Sequence, residues 1–225
     1  MNKILHKPHV LMISEITADG KLTLKRGASS KILMKHMSHE AEIFLHKTRA
    51  AYDAIMVGSS TIKIDNSYLT VRMVPGKSPL RVIPSSMADI PLNANVLDTS
   101  STPTVIAVSA AAPKERIAAL QKKGASIVVS GEKKVDFPIL MDILYQKFSV
   151  RNLIVEGGPT LNWHMLHHHL VDEIRLIHLP FIVGGKDTPS LVGGIHIDSE
   201  DQIIQLELLD TQMVGTNLVT EYRVL

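Results

Sequence analysis

The stretch RNLIVEGGPTLNWHMLHHHL, Arg151–Leu170, joins a short apolar run to an amphipathic segment through a pair of glycines. It predicts a buried strand at Leu153–Val155, a turn at Gly157 and Gly158, and a helix that begins at Pro159, where proline is favoured. A strand, a tight turn and a helix in this order form one unit of an α/β fold. Ligands of such folds bind at the carboxyl ends of the strands, so this turn is the first candidate site.

The same alternation extends outward through most of the chain. We expect strands at His9–Ile16, Tyr52–Val57, Leu80–Ile83, Thr104–Val108 and Ser126–Val129, and helices at Ser38–Ala51, Pro113–Lys123 and Asp136–Phe148. This pattern predicts an α/β fold with a mainly parallel central sheet flanked by helices. After Leu170, the segments Glu173–Leu179, Gln202–Thr211 and Asn217–Leu225 are predicted as strands with few helices between them, which indicates antiparallel C-terminal strands.

The length and amino-acid composition limit the classes of function that this chain can have. The chain has 225 residues, of which 45% are hydrophobic and 20% charged, and no linker or low-complexity tract divides it. We therefore expect a single domain over residues 1–225. A net charge of +2 and few aromatic residues argue against a nucleic-acid partner. The absence of cysteine excludes disulfides, thiol nucleophiles and cysteine metal sites.

The amino-terminal residues MNKILHKPHVLMISEI resemble a signal peptide only weakly. Pro8 and Glu15 interrupt the apolar run, and no small-residue cleavage site follows. Since no apolar run is long enough to cross a bilayer either, we expect a cytoplasmic protein without a membrane partner.

The glycine pair at the end of the first stretch suits an anion. Residues without Cβ let a ligand approach the backbone, and the N–H groups of Thr160, Leu161 and Asn162 are expected to point outward from the helix start. The helix dipole behind them favours a group such as a pyrophosphate. The alternative is a plain strand-to-helix turn without a ligand.

The histidines in the same stretch invite a competing interpretation as a metal site. His164 and His168 are four residues apart and share a helix face, as in a two-histidine zinc site. However, there is no HExxH pattern and no cysteine to complete the ligand set. We therefore predict no metal.

Several motifs resemble, in order along the chain, those of the reductases of riboflavin biosynthesis. They are ITADGK (16–21), RAAYDAIMVGSSTIKIDNSYLTVR (49–72), VEGGPTLN (155–162), LVDEIRL (170–176) and PFIVGG (180–185). The resemblance covers most of the chain from about His9 onward and is weakest between Asn93 and Ser149. One departure is EITADGK, where a run like MSLDGK is more usual.

The resemblance implies a dihydrofolate-reductase-like fold, NADPH as cofactor and a homodimer. The implied reaction reduces the ribosylamino group of a pyrimidine ribosyl 5′-phosphate to the open ribitylamino chain. In many bacteria the reductase is fused behind a zinc deaminase, whose HxE and PCxxC motifs this sequence lacks. The likeness is thus to the free-standing archaeal and fungal type, which reduces the diamino-pyrimidinone before deamination.

Candidate substrate ligands lie in three of these motifs. Lys21 can hold a pyrimidine carbonyl or a phosphate, and Glu156 can accept hydrogen bonds from pyrimidine amino groups or the ribose; we predict both as catalytic. Arg49 and Arg72 suit a phosphate. The resemblance places Leu69 and Arg72 at the substrate, with Arg72 on the 5′-phosphate. Simpler roles stay open: a turn residue for Lys21, an acid's partner for Arg49, and a structural carboxylate for Glu156.

Candidate cofactor ligands surround the glycine turn. The resemblance places Thr61 and Asp65 at NADPH, and the argument from the glycine turn adds Gly157, Gly158, Pro159, Thr160, Leu161 and Asn162. Ser85 and Ser86 end the run LRVIPSS with hydroxyls and no carboxylate. An acid at this place binds the 2′-hydroxyl of NADH, whereas hydroxyls and cations suit the 2′-phosphate of NADPH. Thr61 is alternatively a plain helix cap.

Two other functions stay open. A reductase of the same fold that acts on another heterocycle, such as a pterin, needs the glycine turn and Thr61 but no phosphate ligand. A non-catalytic nucleotide-binding protein needs neither Lys21 nor Glu156. Arg72 and Lys21 therefore distinguish the pyrimidine phosphate from the pterin.

Overall fold

The computed structural model describes residues 6–225; Met1–Leu5, the start of the signal-peptide-like stretch, lie outside the described part. The nine strands form one sheet in the order β5-β4-β3-β2-β6-β1-β7-β9-β8. Their bounds are β1 His9–Thr17, β2 Ala54–Met56, β3 Leu80–Pro84, β4 Thr104–Val108, β5 Ser126–Val129, β6 Asn152–Val155, β7 Glu173–Leu179, β8 Leu206–Val214 and β9 Asn217–Val224. Pairing is parallel from β5 through β7, and β9 and β8 add antiparallel strands beyond it.

Helices lie between the parallel strands. They are α1 Lys31–Met34, α2 His39–Ala51, α3 Ser59–Asp65, α4 Lys114–Lys122, α5 Phe137–Lys147 and α6 Pro159–His167, with single 3-10 turns at Asn95–Leu97 and Glu200–Gln202. Ser38 caps α2 by accepting from the N–H of Ala41 at 3.3 Å, and Asp136 caps α5 by accepting from Ile139 at 2.9 Å. No helix in residues 6–225 is long and apolar enough to cross a membrane.

The core has two halves, one on each face of the sheet. Successive side chains of a strand point to opposite faces, so β2 sends Ala54 and Met56 into one apolar cluster and Ile55 into the other. The central strands are buried on both faces, as parallel strands covered by helices must be. The predicted mainly parallel sheet with antiparallel C-terminal strands is confirmed.

The structure corrects three element predictions. The strand expected at Gln202–Thr211 is β8 at Leu206–Val214, because pairing with β9 fixes its position and Gln202 belongs to a 3-10 turn. Two short helices, α1 and α3, were not predicted. Neither is long enough to display a full apolar stripe.

The parallel strands end at one edge of the sheet. Glu15 lies near the end of β1, Gly58 follows β2, Ser85 follows β3 and Glu156 follows β6. Because β1, β6 and β2 are neighbours, these residues approach one another although they lie far apart in the sequence. This edge carries the candidate site.

Candidate active site

Two cavities open at this edge. The first, which we call the cation cavity, has a volume of about 380 Å³ and is lined by basic side chains from α1, α2 and the segment after α3: Lys31, Lys35, His46, Arg49 and Arg72. The second, the glycine-turn cavity, measures about 860 Å³ and lies against Gly157–Leu161, Ser85 and the 186–194 segment. Both are of a size that holds small-molecule ligands.

A buried ion pair lies in the cation cavity, and its carboxylate partner also lines the glycine-turn cavity. Arg49 donates from Nε to Oε1 of Glu156 at 2.6 Å and from Nη2 to Oε2 at 2.7 Å. The two side chains are only 8% and 11% exposed. Burial alone would lower the pKa of Arg49, but the charge of Glu156 raises it. Two N–H groups of the guanidinium predicted to bind a phosphate thus donate to Glu156, as the alternative of an acid's partner expects, and a contact of Arg49 with the substrate stays a prediction.

Glu156 is held in place by the same pair. Its backbone N–H donates to the carbonyl of Met56 at 3.0 Å, which fixes it between β6 and β2. Its carboxylate lines both cavities, but each oxygen already accepts from Arg49. A carboxylate oxygen has further lone pairs, so acceptance from a ligand stays a prediction.

Glu15, which the sequence did not single out, also lies between the cavities. Its half-buried side chain lines both of them. Burial, reinforced by the negative charge of Glu156, raises the pKa of Glu15 to about 7, and Arg49 offsets this only in part. The site therefore contains a carboxyl group that is partly protonated at neutral pH.

Arg72 and Leu69 lie in the cation cavity, as the resemblance implied for substrate ligands. Arg72 is exposed, and its Nη1 donates to the carbonyl and hydroxyl oxygens of Thr70 at 3.3 and 3.0 Å. Its backbone N–H donates to Nδ1 of buried His46 at 3.1 Å. Burial, with Arg49 and Arg72 nearby, lowers the pKa of His46 to about 4, so this imidazole is neutral and accepts the bond. Leu69 is buried with φ of 54°, a left-handed conformation uncommon for leucine.

Thr61 and Asp65 both lie on α3 and line both cavities. The helix N-cap is Gly58, so the alternative role of Thr61 as a cap is wrong. Asp65 is buried; its Oδ2 accepts from the hydroxyl of Ser30 at 2.8 Å. Its Oδ1 has no hydrogen-bond partner among the described residues. A buried carboxylate oxygen without a donor is suited to a ligand N–H or O–H.

The glycine turn was predicted to let a ligand approach the backbone, and the structure shows that it also makes close contacts within the protein. A Cβ on Gly158 would lie 2.8 Å from Oγ1 of Thr61, and Gly157 has φ of 85° with the amide of Asn162 at 3.3 Å from a Cβ position. Gly158 thus lets α3 and α6 approach each other beside the cavity, and Gly157 leaves room for the amide of Asn162.

The helix start offers fewer free donors than expected. The N–H of Asn162 donates to the carbonyl of Gly158 at 3.0 Å. Its side chain is fully buried and donates to the carbonyl of Leu191 at 2.8 Å, so it holds the 186–194 segment and does not line either cavity. Within residues 6–225 no hydrogen bond takes the N–H of Thr160 or Leu161, and both residues line the glycine-turn cavity together with Pro159.

Ser85 lines the far part of the glycine-turn cavity. It is buried and its Oγ accepts from the N–H of Asp89 at 2.9 Å. The next hydroxyl, of Ser86, accepts from the N–H of Val135 at 3.0 Å, which brings the exposed Lys134 to the same wall. The structure therefore places a cation beside the two predicted hydroxyls.

Lys21 lines neither cavity. Its backbone N–H donates to Oγ1 of Thr17 at 2.8 Å, and its Nζ lies 3.5 Å from the carbonyl of Thr188. The neighbouring Asp19 accepts from Thr17 at 2.6 Å and from the N–H groups of Val183 and Gly184 at 3.1 and 2.7 Å. The bond from Thr17, with the two N–H groups, lowers the pKa of Asp19 to about 2. This turn thus joins two segments that carry the resemblance.

The histidine-rich helix faces the cavity with one ring. His164 lines the glycine-turn cavity and stacks on Phe137 at a centroid distance of 5.5 Å. Burial lowers its pKa, and His168 adds to the effect. Residues 6–225 contain no group of three or more histidine or carboxylate side chains arranged to hold a metal ion.

Sequence reasoning missed Glu15, His46, Lys31 in α1 and Lys35 directly after it. Glu15 stands in an apolar strand, and this exception was the available signal. The two lysines lie in or directly after a helix that is too short to predict. His46 lies on α2, and the sequence does not show which face of this helix lines the cavity.

Comparison with known proteins gives the class to which this geometry belongs. Residues 8–220 match the family model described as RibD C-terminal domain, and the chain belongs to this family. The predicted dihydrofolate-reductase-like fold is confirmed by its structural neighbours.

Two relatives match almost end to end. The chain is 47% identical to a 2,5-diamino-6-ribosylamino-4(3H)-pyrimidinone 5′-phosphate reductase of Aquifex aeolicus, covering 98% of both chains. It is 40% identical to the reductase of the same description from Methanothermobacter thermautotrophicus, covering 97% of this chain and 99% of the relative.

Solved structures agree on the fold. Acinetobacter baumannii RibD superposes with a TM-score of 0.81 at 20% identity, over 97% of this chain and 58% of that one. A pyrimidine reductase-like protein of Corynebacterium diphtheriae gives 0.80 at 20% identity, over 97% and 92%.

Proposed function

We propose that this protein is the NADPH-dependent reductase that converts the ribosylamino group of a pyrimidine 5′-phosphate to ribitylamino in riboflavin biosynthesis. The observation that carries the proposal is the meeting of two chemically different cavities at one set of polar side chains. The end-to-end likeness to two reductases of the diamino-pyrimidinone phosphate supports that compound as the substrate.

The glycine-turn cavity suits NADPH. The free N–H groups of Thr160 and Leu161 and the positive end of the α6 dipole favour the pyrophosphate. Ser85 and Lys134 suit the 2′-phosphate at the far wall. The unpaired Oδ1 of Asp65 and the hydroxyl of Thr61, at the near wall, are available to polar groups of the nicotinamide end. When bound there, NADPH supplies the hydride.

The cation cavity suits the sugar phosphate. Arg72 has guanidinium N–H groups left for a ligand, and the exposed lysines Lys31 and Lys35 add positive charge to the same cavity. Leu69 is buried in the wall of the same cavity, and its contact with the substrate stays a prediction. The Arg49–Glu156 pair then holds an anion of fixed position where the sugar meets the cofactor, so its role is to orient the substrate. A contact of Lys21 with the substrate stays a prediction.

The protein as a whole is proposed to be one reductase domain that works as a homodimer in the cytoplasm. Support for the dimer comes from the edge strand β8, which is exposed along almost its whole length and carries Leu208 and Met213 at 56% and 65% exposure. Such an apolar edge is the kind of surface that oligomers cover. Nucleic acid and membrane are not proposed as partners.

A pterin reductase is the less favoured alternative. Its substrate has no phosphate and gives no use to the cluster of Lys31, Lys35 and Arg72. A non-catalytic nucleotide-binding protein is less favoured because it needs no cation cavity beside its nucleotide.

Loss of NADPH absorbance tests the function. We expect oxidation with the diamino-pyrimidinone ribosyl phosphate, a lower kcat/KM with the corresponding uracil phosphate, and a lower kcat/KM again when NADH replaces NADPH. Turnover of a dihydropterin with neither pyrimidine reduced would overturn the proposal. Equal kcat/KM with NADPH and NADH would show that the enzyme is not specific for NADPH, and that part of the proposal would be wrong.

A further inference from the structure

Five residues line both cavities: Glu15, Ser30, Thr61, Asp65 and Glu156. If the hydride donor lies in one cavity and the sugar in the other, the reacting carbon lies beside these residues. Reduction of a ribosylamine adds a hydride to carbon and a proton to oxygen. A proton donor is therefore needed at this junction.

The three carboxyl groups at the junction are not equivalent. Glu156 accepts from Arg49 through both oxygens. Asp65 accepts from Ser30 and is itself buried on α3. The carboxyl group of Glu15 makes no hydrogen bond or ion pair with the side chains of residues 6–225, and it faces both cavities.

The surroundings of Glu15 hold a proton on it near neutral pH. Burial is the largest cause of its raised pKa of about 7, the anion Glu156 adds to it, and the cation Arg49 opposes it. The other charged or titratable side chains that line the cation cavity are Lys31, Lys35, Glu42, Asp65, Tyr68, Arg72 and the neutral His46. Those that line the glycine-turn cavity alone are Arg26, Lys134, His164, Lys186 and Asp187. A donor of this kind is close to ideal for a reaction at pH 7.

We propose that Glu15 is a catalytic residue that gives its proton to the ring oxygen of the substrate ribose. This rests on the proposed function. As the C1′–O4′ bond breaks, O4′ takes the proton of Glu15 and the lone pair of the exocyclic nitrogen forms the C1′=N bond of an iminium ion. The hydride of the reduced nicotinamide cofactor then adds to C1′, which returns the electron pair to nitrogen. Glu15 regains a proton from water, so one hydride and one proton are consumed.

Glu15→Gln tests this, because the amide keeps the shape of the side chain and cannot donate this proton. In single turnover with saturating NADPH and the diamino-pyrimidinone phosphate, we expect the rate to fall by roughly 10²–10⁴-fold. The wild-type rate should decrease above about pH 7 as Glu15 loses its proton, and this alkaline limb should be absent in the variant. Glu115→Gln, an exposed glutamate of α4, should keep the wild-type rate and pH profile.

A second readout does not depend on activity. In protein carrying ¹³C-labelled glutamate, the carboxyl resonance that disappears in Glu15→Gln or Glu15→Asp should titrate near pH 7 in the wild type. Unchanged NADPH affinity shows that Glu15→Gln is folded. If the wild type reduces the substrate and Glu15→Gln does so at the same rate with the same pH profile, Glu15 is not the donor. A normal titration near that of free glutamate also overturns the inference, whereas a wild type that reduces neither pyrimidine overturns the proposed function itself.

Discussion

At the scale of single residues, Arg72 and Arg49 show how two arginines of one cavity take different roles. Arg49 donates from Nε and Nη2 to the two carboxylate oxygens of Glu156. The guanidinium of Arg72 donates only to Thr70 and keeps N–H groups for a ligand. The sequence offered no means of telling them apart, because the partner of Arg49 lies 107 residues away.

Arg72→Ala should raise KM for the phosphorylated substrate by roughly ten- to a hundredfold, since a charge-assisted contact contributes about 1.5–3 kcal/mol. A contact made equally in ground and transition states affects KM more than kcat. Steady-state kinetics with the nucleotide and its dephosphorylated nucleoside measure this. An equal loss on the nucleoside would show that Arg72 does not bind the phosphate.

Arg49→Ala should lower the free energy of unfolding by about 3–5 kcal/mol, because it leaves the buried charge of Glu156 without its partner and next to Glu15. Lys63→Ala, which removes an exposed ion pair with Asp89, is the matched control and should cost only about 0.2–1 kcal/mol. Denaturant unfolding of both variants at the same pH measures these two changes in the free energy of unfolding. If both variants lose a similar free energy of unfolding, the buried ion pair contributes no more to stability than the exposed one, and the prediction is wrong.

At the scale of elements, the turn after β1 is fastened to the 181–185 segment by Asp19. The pKa of Asp19 is lowered to about 2 from an ordinary 3.8, so its contribution to stability is full above pH 3.8 and is lost as pH falls through about 2. We expect the amide proton shifts of Val183 and Gly184 to move over this range in the wild type. In Asp19→Ala they should already be displaced at neutral pH, whereas Asp201→Ala, an exposed control, should not change them.

The segment that leads into α5 is also held by a hydrogen bond, from the N–H of Val135 to the hydroxyl of Ser86 after β3. This bond places Lys134 at the cavity and leads to a prediction about cofactor specificity. Lys134→Ala should raise KM for NADPH roughly tenfold and leave KM for NADH unchanged, since only NADPH carries a 2′-phosphate. Lys133→Ala is the control, as this exposed neighbour does not line the cavity. A parallel rise for NADH would show that Lys134 binds another part of the cofactor.

Helices and strands were predictable from the sequence where neighbouring residues, such as caps and turn glycines, determine where they begin and end. The strand–glycine–helix unit at β6 and α6 follows from its residues, and so do the caps Ser38 and Asp136. The position of β8 was not predictable, since Ile203 and Ile204 continue the apolar run and only pairing with β9, with an irregularity between Leu208 and Asp210, sets the strand. Of the candidate site, the glycine turn and Arg72 were named from the sequence and line the two cavities, whereas the ion pair and the place of Glu15 depend on contacts between distant strands.

At the scale of the whole molecule, the exposed edge strand β8 predicts assembly. Leu208→Glu with Met213→Glu should convert a dimer to a monomer in light scattering, because two buried carboxylates cannot be accommodated in an apolar interface. Val129→Glu on β5, the opposite edge strand, is the control and should leave the mass unchanged. A wild type of monomer mass at working concentration would contradict the homodimer.

The place of β1 between β6 and β7 also has a consequence during synthesis on the ribosome. Both neighbours of this first strand are encoded far downstream, with β7 beginning at Glu173. At roughly 5–20 residues per second, the strand emerges about 8 to 30 s before its second partner does. During that interval an apolar segment with open edges is exposed to other nascent chains. Chaperone capture of the growing polypeptide should therefore begin soon after β1 leaves the exit tunnel and end when β7 has been made.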